Sequence, residues 1–370
     1  MRVLWLVRPD LDDHPGGDTV QIHSTARCLE RLGVAVEFAV DVPEARLERF
    51  DLFHLFHLDR LWENVAHYRR IVGAGGKAIL SPIYWTGAEF DRRGRVGVQR
   101  CVARVLGHDG YQSLRMFSRS ALGWRRSSSI ARGPTLWSYR RAAARVLNAT
   151  SLLLPNSAAE ARQIEEHFGI QRPFVIVPNG VDSETFYPPQ SPWPEGRQGV
   201  LYAGRIDPCK NQLALIRALT GSSVPLTLVA QPPDGTAYYE RCRSEAGASV
   251  EFVPWQTSAE LRRYFQRARV HACVSWYETV GLAGLEAALC GCASVITSRG
   301  GTRDYFGDEA EYCDPANVES IRQAVDRALE HGPKESLSER IRSEFTWQRA
   351  AECTLSGYEQ VLSETTRMHR

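Results

Sequence analysis

Two glutamates eight residues apart flank a glycine-containing turn in Tyr277-Glu278-Thr279-Val280-Gly281-Leu282-Ala283-Gly284-Leu285-Glu286-Ala287-Ala288. An apolar run over residues 270–274, which reads as a strand, comes just before it, and the segment continues into a helical pattern. Amides at the start of a helix have no intrahelical acceptor, so those of Val280, Gly281 and Leu282 would face an anion. Glu278 in the loop and Glu286 two turns into the helix would accept hydrogen bonds from hydroxyls on either side of that anion. A diphosphate between two sugar rings has this pattern, with charge in the middle and hydroxyls at both ends. The plainer alternative is an ordinary loop glutamate and a helix-surface glutamate.

A second candidate is Ala203-Gly204-Arg205-Ile206-Asp207-Pro208-Cys209-Lys210-Asn211-Gln212, directly after another strand-like run. The Arg205 guanidinium and the Lys210 ammonium, on one loop leaving a strand, would converge on a diphosphate. Lys210 is one of three lysines against 42 arginines, so a lysine here goes against the composition. A solvated basic loop is the alternative. The third candidate, His14-Pro15-Gly16-Gly17-Asp18, joins a strand to a helix, and Gly16 and Gly17 would let the backbone approach phosphate closely. It is not a G-x-G-x-x-G fingerprint, and a tight turn before a helix would look the same.

The elements that must position these residues are short apolar runs alternating with helical stretches. Strands are expected over residues 3–7, 34–40, 51–56, 77–83, 152–154 and 174–177, with a helix over 19–32 closed by Gly33. Residues 181–199 are rich in proline and glycine (Pro188, Pro189, Pro192, Pro194, Gly196, Gly199) and read as a linker. The alternation then restarts, with strands expected over 200–203, 226–229, 250–253, 270–274 and 293–297 and helices over 211–219, 258–268 and 282–290. Continuous apolar strands separated by helices imply parallel sheets covered on both faces. The expected fold is therefore α/β, two doubly wound Rossmann-like domains facing a cleft at the C-terminal ends of their strands. The expected division is 1–182, a linker over 183–199, a second domain over 200–346, and a helix over 347–370 packing back on the first domain.

At 370 residues, with 43% hydrophobic and 24% charged residues, the chain fits two globular domains and neither a disordered nor a collagen-like polymer. Nine cysteines without C-x-x-C pairs argue against a disulfide framework or structural zinc and for a reducing cytosol. No apolar run approaches the ~18 residues of a membrane span, and the five at residues 3–7 are too few for a signal peptide. Neither domain opens with a dinucleotide fingerprint, which disfavours a dehydrogenase.

The run 277–288, continuing through Cys290-Gly291-Cys292-Ala293-Ser294-Val295-Ile296 to Gly300-Gly301, resembles the nucleotide-sugar signature of family-four glycosyltransferases, including its E-x7-E. Gly204-Arg205 with Lys210-Asn211 resembles the same family's phosphate loop, and Gly16-Gly17 its N-terminal glycine pair. Leu154-Pro155-Asn156-Ser157 and Val177-Pro178-Asn179-Gly180-Val181-Asp182, with Phe186 and Pro188, resemble the family's segments before the linker. These matches run in the family's order along nearly the whole chain, residues 85–145 excepted.

The resemblance implies GT-B architecture and a retaining, metal-independent transfer of a hexose-type sugar from a nucleotide diphosphate sugar to a hydroxyl acceptor. No cofactor is expected, and the donor is favoured to be a UDP or GDP sugar. Arg205 and Lys210 would neutralise the leaving diphosphate, and Gly17 would donate its amide to it. Glu278 would hold donor-sugar hydroxyls, Glu286 the ribose, and Thr279 to Leu282 would supply backbone contacts. Trp255 sits where the family places nucleobase contacts, although a packed core tryptophan fits as well. A D-x-D metal pair is not required, and Asp10-Leu11-Asp12 reads as polarity approaching the helix.

One departure concerns a histidine that many members carry at the end of a strand of the first domain. That strand here reads Ala78-Ile79-Leu80-Ser81-Pro82-Ile83-Tyr84-Trp85, leaving Ser81 or Tyr84 in its place on the acceptor side. His54, His57 and His108 are alternatives, each of which reads more simply as a satisfied surface or core histidine.

Residues 91–145 hold thirteen arginines and two acids, a net +11 against −9 elsewhere that the overall +2 conceals. Val102, Val105, Leu106, Met116, Phe117, Leu122, Trp124, Leu136 and Trp137 interleave with them. Three readings stand: contact with an anionic membrane surface, binding of an acidic, phosphorylated or lipid-linked acceptor, or a solvated helical face in an arginine-favouring protein. Without a nucleic-acid motif, no nucleic-acid partner is expected. The expected enzyme is cytoplasmic, with peripheral contact at the inner membrane face, and acts on a cell-envelope glycan or glycolipid intermediate. A nucleotide-sugar epimerase of the same architecture and a non-catalytic binder are the rivals.

Overall fold

The computed structural model describes residues 1–41, 44–126, 138–191, 196–230 and 236–368. Pro192, Pro194, Leu136 and Trp137, named above, lie outside them, as does Arg132, one of the thirteen arginines. Two units separate by contact: one comprises Met1–Thr86, Val102–Gly180 and Trp347–Arg370, the other Gly87–Cys101 and Val181–Thr346.

The first unit is built on β1 (Arg2–Leu6), α1 (Gly17–Arg31), β2 (Ala35–Ala39), β3 (Leu52–Phe56), α2 (Leu61–Gly73) and β4 (Ala78–Ser81). The basic stretch then forms α3 (Gly97–Arg126), which belongs to this unit from Val102 onward and is broken at Gly107, whose φ of 68° no helix tolerates. It is followed by α4 (Tyr139–Ala149), β5 (Leu152–Leu153) and α5 (Ala158–Phe168). The sheet order is β2-β1-β3-β4-β5, and every pairing is parallel. Burial follows position: all five residues of inner strand β3 are buried, whereas edge strand β2 is half exposed. The strand expected over 174–177 is reduced to one bridge, Leu153 to Phe174: the Val175 and Val177 amides donate to the Leu153 and Pro155 carbonyls, but Pro155 has no N–H to continue the ladder.

The second unit contains β6 (Gln198–Ala203), α6 (Gln212–Leu219), β7 (Leu226–Val229), α7 (Ala237–Glu245), β8 (Val250–Val253), α8 (Ser258–Arg267) and β9 (Ala268–Cys273). It continues through α9 (Leu282–Leu289), β10 (Ala293–Thr297), α10 (Thr302–Phe306), β11 (Glu311–Cys313), α11 (Val318–His331) and α12 (Glu335–Glu344). Its sheet order is β11-β10-β9-β6-β7-β8, again wholly parallel. In chain order this is the doubly wound 3-2-1-4-5-6 arrangement, whose direction reverses between β6 and β9. The three-residue edge strand β11 has no counterpart in the sequence expectation, being too short to show periodicity.

The segment Gly87–Cys101, expected with the first domain, groups with the second unit. After α12 the chain returns to the first unit as α13 (Trp347–Met368), which packs on α1. The Tyr358 hydroxyl on α13 accepts from Trp5 Nε1 at 3.0 Å and lies 2.7 Å from His54 Nδ1. The other His54 nitrogen lies 2.8 Å from Ser81 Oγ, so this histidine in a fully buried strand has both nitrogens satisfied. Among the described residues no helix is long and apolar enough to cross a membrane.

Candidate active site

Strands β6 and β9 are adjacent, and open α/β sheets bind ligands beyond the carboxyl ends of strands at such a reversal. The loop leaving β6 is shaped by its own polar side chains. Asp207 accepts the Cys209 amide at 2.7 Å, capping a short 3-10 turn over Pro208–Lys210. Asn211 takes a left-handed φ of 63° and donates through Nδ2 to the carbonyls of Val274, at 3.1 Å, and Pro315, at 2.8 Å. The Trp276 amide donates to the Cys209 carbonyl at 2.8 Å. These bonds tie the β6 loop to the β9 loop and bring Lys210 against Glu278.

Lys210 Nζ lies 2.5 Å from Glu278 Oε1. Ser275 Oγ donates to the same oxygen at 2.6 Å, with the Cys273 thiol at 3.6 Å. Burial opposes both charges, but each outweighs it for the other: the Glu278 charge raises the Lys210 pKa, and Lys210 with Ser275 lowers that of Glu278. Among the described residues Oε2 of Glu278 receives no hydrogen bond, which leaves it to accept from a ligand.

The Glu278 backbone is fixed as well. Its amide donates to the Arg299 carbonyl at 3.2 Å, and its carbonyl accepts from the Gly301 amide at 2.9 Å. Gly300, between them, has a φ of 114°, and a Cβ there would lie 1.7 Å from the Glu278 carbonyl oxygen. Glycine at 300 is therefore what lets the Glu278 loop lie against this turn.

Half-buried Thr279 and buried Val280 lead to Gly281, which starts α9 from a left-handed φ of 85°. Leu282 is the first helical residue, so the amides of this turn open the helix. Gly284 lets α9 approach β10 and α10: an added Cβ would meet Ile296 and Phe306 side chains at 3.0 Å. Glu286 follows on α9, and burial, with the charge of Asp182, raises its pKa to about 7.

Two other residues stand apart from the ion pair. Arg205 is exposed and makes no ion pair among the described residues, while its carbonyl accepts from Gln212 Nε2 at 2.6 Å and Tyr202 Oη at 3.2 Å. Trp255, 52% exposed in the loop after β8, is not a core residue.

The segment Gly87–Cys101 braces this site, and sequence reasoning missed it. Phe90 packs on Trp276, with ring centroids 6.3 Å apart, and Gly94 lies so close that a Cβ would meet both rings at 2.5 Å. Glu89 Oε2 accepts from Arg299 Nε at 2.8 Å, and Arg299 in turn accepts the Glu278 amide. The signal available was the pair Phe90 and Gly94 within an otherwise basic stretch.

In the first unit the corresponding reversal lies between β1 and β3. Gly16 precedes α1 and Gly17 begins it, with the Gly16 amide bonded to Thr19 Oγ1 at 3.1 Å. The next residue, Asp18, receives Arg8 Nε at 2.6 Å, and His57 Nε2 lies 3.2 Å away. Despite burial, those two partners hold the Asp18 carboxyl far below its ordinary range. Arg8 is a further residue the sequence reading passed over, Asp18 was named only as the end of the glycine turn, and His57, with a φ of 67°, pairs with it. Ser81 and Tyr84 are both buried, their hydroxyls bonded to His54 and to His167 Nδ1 at 2.6 Å, so neither opens to a ligand. Asp10 pairs with Arg8 at 3.2 Å and Asp12 with His23 at 2.9 Å, in line with loop polarity.

Residues 183–344 match a family model described as glycosyl transferases group 1. The D-inositol 3-phosphate glycosyltransferase of Mycolicibacterium smegmatis is 25% identical over 60% of this chain and 56% of its own length. The chain thus spans about half the length of the curated relatives it matches. Sucrose-phosphate synthase from Thermosynechococcus elongatus superposes with a TM-score of 0.72 at 16% identity, covering 98% of this chain and 100% of that one. Anabaena HepE in complex with UDP-glucose superposes at 0.61 with 16% identity, each chain covered in full. At such identities these structures establish the fold alone.

Proposed function

We propose that the protein transfers a hexose-type sugar from a nucleotide diphosphate sugar to a hydroxyl acceptor, with retention and without a metal; the match of residues 183–344 to the glycosyl transferases group 1 model and the GT-B fold support this reading. The observation that carries this reading is the Lys210–Glu278 pair at the β6/β9 reversal, beside the opening turn of α9.

The barrier in such a transfer is negative charge growing on the diphosphate as the glycosidic bond breaks. Lys210 is a fixed cation with two further N–H donors, and Arg205 is an uncommitted one. Together with the amides of Thr279, Val280, Gly281 and Leu282 they neutralise the leaving group. Held by Lys210 and Ser275, Glu278 offers Oε2 to donor-sugar hydroxyls. Glu286 accepts from the ribose, and exposed Trp255 stacks on the base, uracil or guanine. Because the chemistry is positioning and charge stabilisation, it needs no cofactor.

The acceptor is an anionic hydroxyl compound of the cell envelope, a phosphorylated polyol or a lipid-linked glycan. The D-inositol 3-phosphate in the name of the mycolicibacterial relative supports this class. On α3, Val98, Cys101 and Val105 fall on one helical face and are exposed, with Arg100 and Arg104 beside them. That pairing of apolar and basic surface supports peripheral contact of a cytoplasmic enzyme with the anionic inner membrane face.

The test is a thermal-shift panel of UDP, GDP, ADP and dTDP sugars on the wild type, Lys210→Ala and Glu286→Ala. One sugar nucleotide should raise the Tm of the wild type and lose its effect in both variants. If none stabilises the wild type, the donor site is misassigned. If the stabilising donor is turned over without any acceptor into an epimerised sugar, transfer is the wrong reaction.

A further inference from the structure

Away from the residues assigned to sugar transfer, three side chains of the first unit converge: His108 and Asp109 on α3, and His167 at the end of α5. One ligand atom from each lies within 4.8 Å of the others. We propose that these residues form a binding site for a divalent zinc ion that ties α3 to α5. The proposal is independent of the glycosyltransferase reading.

The donor set is two imidazoles and one carboxylate, a borderline nitrogen/oxygen set that suits Zn²⁺ and leaves a fourth position for water. Ligands of a tetrahedral zinc at about 2.0–2.2 Å stand roughly 3.3–3.6 Å from one another. His167 Nε2 and Asp109 Oδ1 are already 3.1 Å apart, so closure requires His108 to move by about 1.5 Å at most. The left-handed break at Gly107 turns the chain just ahead of His108 and Asp109, which lets adjacent residues reach one point.

The surrounding groups are those a metal site needs. Asp109 divides its oxygens: Oδ1 faces His167, and Oδ2 accepts from Arg140 at 3.3 Å. His167 Nδ1 lies 2.6 Å from the Tyr84 hydroxyl, toward which the Tyr139 hydroxyl points at 3.4 Å. Without metal, Nε2–H donates to Asp109 and Nδ1 accepts from Tyr84. With zinc on the Nε2 lone pair, the imidazole proton resides on Nδ1 and donates to Tyr84 instead. The 2.6 Å contact serves both states with its direction reversed. The Tyr84 amide donates to Glu160 Oε1 at 2.6 Å, so α5 grips this residue at backbone and hydroxyl alike. A zinc ion would extend that grip to α3.

Untagged protein, dialysed against Zn²⁺ and then metal-free buffer, should retain one equivalent of zinc by elemental analysis and gain thermal stability that EDTA removes. Mg²⁺ should do neither. His108→Gln, Asp109→Asn and His167→Gln should lose the equivalent, whereas His331→Gln, a histidine paired with Glu311 elsewhere, should keep it. Tyr84→Phe should keep the stoichiometry and bind roughly 10–100-fold more weakly. Because a ligand variant can misfold, Co²⁺ titration of the wild type supplies a second readout: tetrahedral absorption bands saturating at one equivalent. Absence of those bands, or zinc retained equally by folded ligand variants, would overturn the site and leave only a hydrogen-bond network among Tyr84, His167, Asp109 and Arg140.

Discussion

Lys210 and Glu278, 68 residues apart in the chain, meet at 2.5 Å where β6 and β9 run side by side. Each charge is the reason the other persists in a largely buried place. Glu278→Gln leaves the Lys210 ammonium with no anion, and Lys210→Ala leaves the carboxylate with only Ser275 and a thiol. Breaking a buried pair costs about 3–5 kcal/mol, and the 28% exposure of Lys210 puts either change at the lower end, about 3 kcal/mol. A double-mutant cycle by urea denaturation should show the Lys210→Met/Glu278→Gln double variant as more stable than the two single losses combined.

Gly300→Ala should be far more damaging than an ordinary glycine substitution. Its Cβ would fall 1.7 Å from the Glu278 carbonyl oxygen, at a φ that alanine avoids. Gly332→Ala is the control: its φ of 72° is also positive, but nothing lies within 4 Å. The control should lose about 1–2 kcal/mol, whereas Gly300→Ala should lose several-fold more, together with donor-induced Tm shifts.

Glu286 should give donor binding and stability opposite pH dependences. Its carboxyl is raised to about 7, so between its ordinary range and pH 7 the folded protein holds a proton that the unfolded chain has released. The folded state binding more protons, stability falls as pH rises through that window, by at most about 1.4 kcal/mol per unit, and then levels off. Glu160, also raised to about 7 by burial, acts with the same sign, so the measurement is the difference between wild type and Glu286→Gln. Over pH 5–8 that difference should shrink the slope in the variant. Donor affinity of the wild type, calling on the carboxylate, should instead rise from pH 6 to 8.

Tyr358→Phe should loosen the C-terminal helix. The change deletes the acceptor of Trp5 Nε1 and the partner of His54 Nδ1, both fully buried. Leaving such groups unsatisfied costs about 1–3 kcal/mol. Hydrogen exchange should report faster opening across α13 with the second unit unaffected.

The sequence by itself determined most of the strands, because parallel strands covered on both faces are largely apolar, as in the fully buried β3 and β10, but it missed three-residue β11 and overcounted residues 174–177. It likewise marked Gly281, Glu286, Lys210 and Glu278, since helix-opening turns and loop cations carry local signatures. It left open which strands lie side by side. Adjacency is set by long-range pairing, and only that pairing joins Lys210 to Glu278 and His57 to Asp18. Nor does periodicity reveal that Phe90 and Gly94 fold onto Trp276, or that Ser81 and Tyr84 turn inward to His54 and His167. A side chain's partner depends on three-dimensional packing, which a pattern of apolar and polar residues constrains only to one face. For the same reason His108 and Asp109 looked like ordinary members of a basic stretch until the break at Gly107 set them against His167.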